Sequence, residues 1–249
     1  RAAAVAPEST ADLLFTSGTT GKPKGVICAH GQMLRTVGTW ANVVGLGADD
    51  RYLVVNPFFH SFGLHCGILV CLMKGACLIP QVVFDVPLMM ERVQAERVSM
   101  LAGAPAIYQT ILNHPNLASF DLSSLRLAVT GAAVVPVELV HAMRDVLGFE
   151  VVVTGYGLTE SSGTATMCRH DDDPETIANT SGRAVPDVEV RVVDPQGDEV
   201  PRGEPGEIVV RGYVVMKGYL DDPAQTAEAI DADGWLHTGD IGVMDERGY

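Results

Sequence analysis

Residues 125–154 read LRLAVTGAAVVPVELVHAMRDVLGFEVVVT. An apolar run, Leu125–Thr130, is followed by a glycine-led turn, a helix-like stretch at Pro136–Leu147 and a second apolar run at Val151–Thr154. Two strands separated by a helix of that length read as parallel neighbours with the helix as crossover. Pro136 suits a first helical turn, where its missing N–H costs little. The alternation extends toward the N-terminus. Candidate strands are Asp12–Thr16, Gly25–Ala29, Tyr52–Val55, Ala76–Ile79 and Ser99–Ala102, and candidate helices are Gln32–Val44, Val86–Val98 and Ala104–Asn113. This pattern predicts an α/β unit over residues 1–178, a mainly parallel sheet flanked by helices.

After Asn179 the texture changes. Val188–Val193 and Glu207–Arg211 alternate or run β-branched, with turns at Asp194-Pro-Gln-Gly and Pro201-Arg-Gly-Glu. Residues 179–249 therefore read as a small β-rich, barrel-like unit. The first residues, RAAAVAP, look like a linker entered midway, and Ile241–Tyr249 reads as a strand and turn without a return strand. The expectation is a piece of a longer, two-domain protein.

Composition narrows the class. The chain of 249 residues is 47% hydrophobic and 19% charged, enough apolar material for a sizeable core. Its formal charge of −14 argues against a nucleic-acid binder or an anionic-membrane binder, so any polyanionic ligand must be held by local amides and a few lysines. Gly67–Pro80, the longest apolar run, is interrupted by Lys74 and is too short to span a bilayer. Five cysteines with no CxxC pair fit a reduced, cytoplasmic protein.

TSGTTGKPKG, residues 16–25, packs three glycines, three threonines, a serine and two lysines into ten positions after a strand. Backbone N–H groups in such a loop converge on phosphate oxygens, hydroxyls add donors, and lysine neutralises charge. It is not a Walker loop, because only two residues lie between Gly18 and Gly21 and Pro23 follows Lys22. A polar β-hairpin, with Gly25–Ala29 folding back on Asp12–Thr16, fits the same residues. GYGLTE, residues 155–160, offers close backbone approach at its glycines, a stacking face at Tyr156 and a possible cation ligand at Glu160; a strand-to-helix turn capped by Thr159 fits as well. In GWLHTGD, residues 234–240, Asp240 is either an acceptor for a pair of sugar hydroxyls or an ordinary turn residue. His60 sits among aromatics in PFFHSF, residues 57–62, where it would meet a substrate or simply be a satisfied core histidine. It lies five residues from His65, a spacing that does not make a zinc pair. No G-x-S-x-G elbow supports a serine hydrolase.

Together, in this order, TSGTTGKPKG (16–25), GAA (131–133), YGLTE (156–160), GEIVVRG (206–212) and GWLHTGD (234–240) make the chain resemble the AMP-forming adenylate synthetases. That superfamily joins acyl- and aryl-CoA ligases, luciferases and peptide-synthetase adenylation domains. Outside the motifs, VNPFFHSFGLHCGILVCLMKGA and SLRLAVTGAAVVP are similar to fatty-acid-type ligases, most of all to actinobacterial ones that activate propanoate side chains of partly degraded steroid rings. The resemblance implies that Thr16, Ser17, Gly18, Thr19, Thr20, Gly21, Lys22 and Lys24 handle the β- and γ-phosphates of ATP. Gly131, Ala132, Ala133, Gly155 and Tyr156 would frame adenine, and Asp240 would bind the ribose. Thr159 would contact phosphate, Glu160 would bind Mg²⁺, and His60 would border the acyl site. The implied reaction joins a carboxylic acid to AMP with loss of pyrophosphate, then passes the acyl group to coenzyme A. The first N-terminal subdomain and the C-terminal domain with its catalytic lysine have no counterpart here, so the isolated chain is expected to be inactive. An inactive nucleotide-binding module and an adenylating enzyme with a non-CoA acceptor are the alternatives. An oligomer is compatible with the sequence. No acidic residue stands between Arg51 and Gln81 to hold a substrate ammonium, which disfavours an amino acid. The small residues Ser161, Ser162, Gly163 and Thr164 are expected to leave room for an acyl tail or a ring.

Overall fold

The computed structural model describes residues 5–16 and 23–249. The chain runs β1 (Thr10–Thr16), β2 (Lys24–Ala29), α1 (His30–Val44), β3 (Arg51–Val54), α2 (Ser61–Gly63), a π-helical stretch (Leu64–Leu69), α3 (Val70–Lys74) and β4 (Cys77–Pro80). It continues through α4 (Val86–Glu96), β5 (Met100–Ala102), α5 (Pro105–Leu112), β6 (Leu127–Val129), α6 (Val137–Asp145), β7 (Val151–Val153), β8 (Gly155–Tyr156), β9 (Thr166–Met167) and α7 (Pro174–Asn179). Last come β10 (Arg183–Ala184), β11 (Val188–Val193), β12 (Pro205–Gly212), β13 (Gly218–Tyr219), α8 (Pro223–Ala229) and β14 (Leu236–Val243).

Two compact units result. One gathers the chain up to Thr39 with Gly157–Thr166 and Arg183–Tyr249, and the other holds Trp40–Tyr156 and Met167–Gly182. This differs from the expected division at residues 178 and 179. The first strand pair belongs with the C-terminal strands because β13 pairs antiparallel with β2.

The second unit carries a five-stranded parallel sheet in the order β4-β3-β5-β6-β7. β5 and β6 are buried at every residue, as expected of strands covered on both faces. The Tyr108 hydroxyl reaches the carbonyl oxygens of Leu101 and Val129, 3.0 Å from each, tying α5 to two neighbouring strands. Asp50, buried at the start of the sheet, accepts from Gly47 N, Ser99 Oγ and Arg126 Nη2 at 2.7–2.8 Å, so its charge is compensated. The strand order reverses between β3 and β5, which makes the loops after these two strands the sheet's switch point.

β1 and β2 are absent from that sheet, contrary to the alternation read over residues 12–178. They pair antiparallel, Thr16 opposite Lys24, and extend to β13. The connection between them is too short for a parallel crossover, which needs a dozen or so residues. The C-terminal region is β-rich as expected, its strands forming a three-stranded antiparallel sheet in the order β11-β12-β14. Val193, Val209 and Trp235 form its apolar cluster, and the guanidiniums of Arg191 and Arg211 lie 4.6 and 4.4 Å from the Trp235 ring centre.

Three helical segments escaped the sequence reading. Ser61–Lys74 is apolar nearly all round, so it lacks the one-sided periodicity that marks a surface helix; it ends at Gly75, whose φ of 72° is a left-handed stop. α7 and α8 are short, but each has a legible start: Asp173 and Asp222 accept from Thr176 N and Gln225 N, and a proline follows each aspartate. Among the described residues no helix is long and apolar enough to cross a membrane.

Candidate functional site

In the first unit β1 delivers Thr16 and β2 delivers Lys24 as facing residues of one antiparallel pair. Ser17, Gly18, Thr19, Thr20, Gly21 and Lys22 lie outside the described residues. The Lys24 ammonium stands 5.1 Å from the centre of the Tyr219 ring, and the Tyr219 hydroxyl donates to Glu160 Oε1 at 2.9 Å. Burial first, then the neighbouring Glu160 charge, push the Tyr219 phenol well above its ordinary range, so it remains a donor at neutral pH.

Thr159 and Glu160 occupy a short 3-10 turn, Thr159–Ser161. Ser161 Oγ accepts from Leu158 N at 2.9 Å, and the Glu160 carbonyl accepts from Met216 N at 2.8 Å. Gly157 is required just before it, because a Cβ there would come within 2.5 Å of the Gly163 carbonyl carbon. The space expected at Ser161, Ser162 and Thr164 is closed: all three are buried. Ser162 Oγ accepts from Gln32 Nε2 at 2.8 Å and donates to the Val214 carbonyl at 3.1 Å, so small polar residues here fill the unit's interior. Cys28, buried in the same unit, has its thiol pushed up to about 12, by desolvation and then by Asp12.

Asp240 lies inside β14 rather than ahead of it. Between the pairs Glu207–Ile241 and Val209–His237, the residues 238–240 oppose Ile208 alone, and Gly239 takes a φ of 75°. Such a bulge turns the strand and re-aims its side chains. Glu207 fastens it with both oxygens: Oε1 accepts from Gly239 N at 2.9 Å and Oε2 meets His237 Nδ1 at 2.9 Å. Thr238 Oγ1 donates to the Ile208 carbonyl at 2.7 Å and accepts from Asp240 N at 3.2 Å. Asp240 itself is exposed.

In the second unit Gly131–Ala133 follow β6, and Gly155 and Tyr156 follow β7, at the carboxyl ends of adjacent parallel strands. Gly131 has a φ of 155°, and a Cβ there would stand 3.3 Å from Thr154 Oγ1. Ala132, with a φ of 59°, is a non-glycine residue in the left-handed region, a strain of about 1–3 kcal/mol that clusters at ligand sites. Ala132 and Ala133 are exposed. His60 lies on the loop after β3, at the switch point. It is exposed rather than a core residue, and its Nδ1 accepts from Phe62 N at 3.1 Å. In the neutral ring that bond places the proton on Nε2, the nitrogen left for a ligand.

The structure thus brings Lys24 and Glu160 to one tyrosine, and Gly131 against Thr154 and Gly155. Tyr219, Glu207 and His237 were not singled out from the sequence. Glu207 and His237 stand within motifs already quoted, whereas Tyr219 has no local signal beyond the Lys-Gly-Tyr-Leu run.

A family model described as AMP-binding enzyme matches residues 1–220. The 3-[(3aS,4S,7aS)-7a-methyl-1,5-dioxo-octahydro-1H-inden-4-yl]propanoyl:CoA ligase of Rhodococcus jostii (strain RHA1) is 54% identical over 249 residues, covering 100% of this chain and 46% of the relative. The protein of the same name from Mycobacterium tuberculosis (strain ATCC 25618 / H37Rv) is 54% identical over 248 residues, covering 100% of this chain and 47% of the relative. Among solved structures, ATP bound MatB from Rhodopseudomonas palustris superposes with a TM-score of 0.87 at 31% identity, covering 98% of this chain and 48% of that one. The chain spans about half the length of the curated relatives it matches.

Proposed function

This chain belongs to the AMP-binding enzyme family, and we propose that it works as part of an AMP-forming acyl-CoA ligase. Its carboxylic acid substrate is proposed to be a propanoate borne on a partly degraded steroid ring system. The substrate proposal draws on the two ligases at 54% identity, whose names specify a ring-borne propanoyl group. The lack of any acidic residue between Arg51 and Gln81 supports it, since an ammonium near His60 would find no carboxylate there.

The observation that carries the reading is the pairing of Lys24 and Glu160 on one tyrosine. It puts a cation able to meet phosphate oxygens and a carboxylate able to meet a metal within one small cluster. Glu160 suits a hard cation: Tyr219 occupies only Oε1, and Oε2 has no protein hydrogen bond among the described residues. Glu160 would hold Mg²⁺, which supplies neutralisation of charge on the departing pyrophosphate. Lys24 and Thr16, with the loop Ser17–Lys22, would bind the β- and γ-phosphates, and Thr159 would add a hydroxyl donor. The strained Gly131–Ala133 turn, with Gly155 and Tyr156, would admit the adenine, and Asp240 on its bulge would accept from the ribose hydroxyls. His60 would border the acyl group. In the first step a carboxylate oxygen bonds to the α-phosphorus as the bond to pyrophosphate breaks. In the second, the thiol sulfur of coenzyme A bonds to the acyl carbon, AMP leaves and the thiol proton is released.

We further propose a cytoplasmic location, since all five cysteines are free thiols. The test is a full-length protein carrying this sequence, given ATP, Mg²⁺, coenzyme A and a panel of carboxylic acids. The expected result is AMP release that depends on a ring-borne propanoate and on coenzyme A. Pyrophosphate exchange with that acid but no thioester would point to a different acceptor. Binding of ATP without turnover of any acid would reduce the reading to a nucleotide-binding module.

A further inference from the structure

Tyr219 is held in place more firmly than a two-residue strand explains. Its N–H donates to Thr226 Oγ1 at 2.9 Å, Leu220 N donates to the Gly25 carbonyl at 2.7 Å, and the residue pairs with Val26 of β2. Gly218 just before it has no room for a side chain, because a Cβ would lie 2.7 Å from Thr226 Cγ2. Pinned on two sides, the ring offers its face to the Lys24 ammonium at 5.1 Å and its hydroxyl to Glu160 Oε1 at 2.9 Å. Among the described residues no ion pair joins Lys24 to Glu160, although both meet this one side chain. Left to themselves, a mobile ammonium and a nearby carboxylate attract one another, and a direct pair would spend on each other the charges that a phosphate and a cation need.

We propose that Tyr219 is a positioning residue: it fixes the Glu160 carboxylate through Oε1, gives Lys24 a ring face in place of an acid, and leaves Oε2 of Glu160 open to a divalent cation. The inference rests on the reading of Glu160 as the cation ligand. It assigns a role to the Lys-Gly-Tyr-Leu segment that the motif reading left without one. The phenol serves because its hydroxyl donates to Glu160 Oε1 without adding a charge of its own to the cluster.

The test measures ATP affinity against Mg²⁺ concentration for the unchanged chain, Tyr219→Phe, Tyr219→Ala and Glu160→Gln, each checked by thermal melting. Phenylalanine keeps the ring under Lys24 and removes only the hydroxyl. The expected result is a rise of about three- to tenfold in the Mg²⁺ concentration for half-effect, on the scale of one hydrogen bond. ATP affinity without metal should be unchanged in this variant. Tyr219→Ala should show the same metal defect and, in addition, weaker metal-free ATP binding as Lys24 is released toward Glu160. A purely structural tyrosine would lower the melting temperature and leave the Mg²⁺ midpoint alone, and that result in either folded variant overturns the inference. If Glu160→Gln shifts the midpoint while Tyr219→Phe does not, the cation reading stands and the Tyr219 inference falls. If Glu160→Gln itself matches the unchanged chain, the cation reading fails and takes the inference with it. Tyr219→Phe in the Glu160→Gln background should produce no further shift.

Discussion

Glu160 and Asp240 are both carboxylates on irregular backbone, yet they are held differently. Glu160 is half-buried, and a phenol grips its Oε1, so its orientation is set from the protein side. Replacing it by glutamine keeps the shape and the Tyr219 contact but removes the charge. The expected outcome is an intact fold with clearly weaker Mg²⁺-dependent use of ATP, read from initial rates of AMP formation across a magnesium series in the full-length protein. Asp240 is exposed and is aimed by the backbone bulge beneath it. If it accepts from the ribose, Asp240→Ala should cost a charge-assisted bond, about 1.5–3 kcal/mol, or roughly ten- to a hundredfold in affinity. Comparison of ATP with 2′-deoxy-ATP separates this from a turn role. The unchanged protein should prefer ATP and the variant should lose most of that preference, whereas a variant that melts earlier but still discriminates would return Asp240 to the scaffold.

Turns and caps at the element scale depend on what the backbone meets. Gly182 and Gly197 both have left-handed φ values, 79° and 86°. At Gly197 a Cβ would meet nothing within 4 Å, so Gly197→Ala should cost only the conformational strain, about 1–2 kcal/mol. At Gly182 the Cβ would fall 1.9 Å from the Met167 carbonyl carbon, a backbone atom that cannot step aside. Gly182→Ala should therefore cost at least about 3 kcal/mol, strain and overpacking together, and denaturant unfolding of the two variants side by side checks the contrast. The bulge in β14 is an element-scale device of the same kind. A regular register would continue the alternation past Thr238, and only the three residues facing Ile208 put Asp240 where it is.

Across the whole molecule, buried acids set the response to pH. Burial pushes the thiols of Cys28 and Cys71 up to about 12 and raises Cys66, Tyr52 and Tyr108 in the same direction. Below the ordinary thiol value of 9.0 both the folded and the unfolded chain keep these protons, and the stability is at its full value. Between 9.0 and about 12 the unfolded chain releases them while the folded chain does not, so stability falls steadily with rising pH. Denaturation midpoints measured from pH 7 to 10.5 should decline only in the upper part of that range; a flat profile would show that these groups are not buried. For the same reason a maleimide should modify the exposed Cys77 in the native protein and reach Cys28, Cys66, Cys71 and Cys168 only after unfolding.

By itself the sequence determined the parallel sheet, because its strands are continuous apolar runs spaced by helix-length segments, and each of those signals is local. Its motifs also named the candidate site residues, Glu160 and Asp240 among them, through their resemblance to the family's, while residue type alone left each of these two with a turn reading as well. It did not determine that β1 and β2 leave the parallel sheet to pair with Gly218–Tyr219, nor that Gln32 locks Ser162 inside a packed interior. Tyr219 belongs to that second kind. It stands 59 positions from Glu160, its distance to that carboxylate is set by strand pairing with β2, and nothing in its own neighbours along the chain announces the contact. Interactions at such separations exist only once the chain has closed its loops, which is why tertiary structure alone decided them.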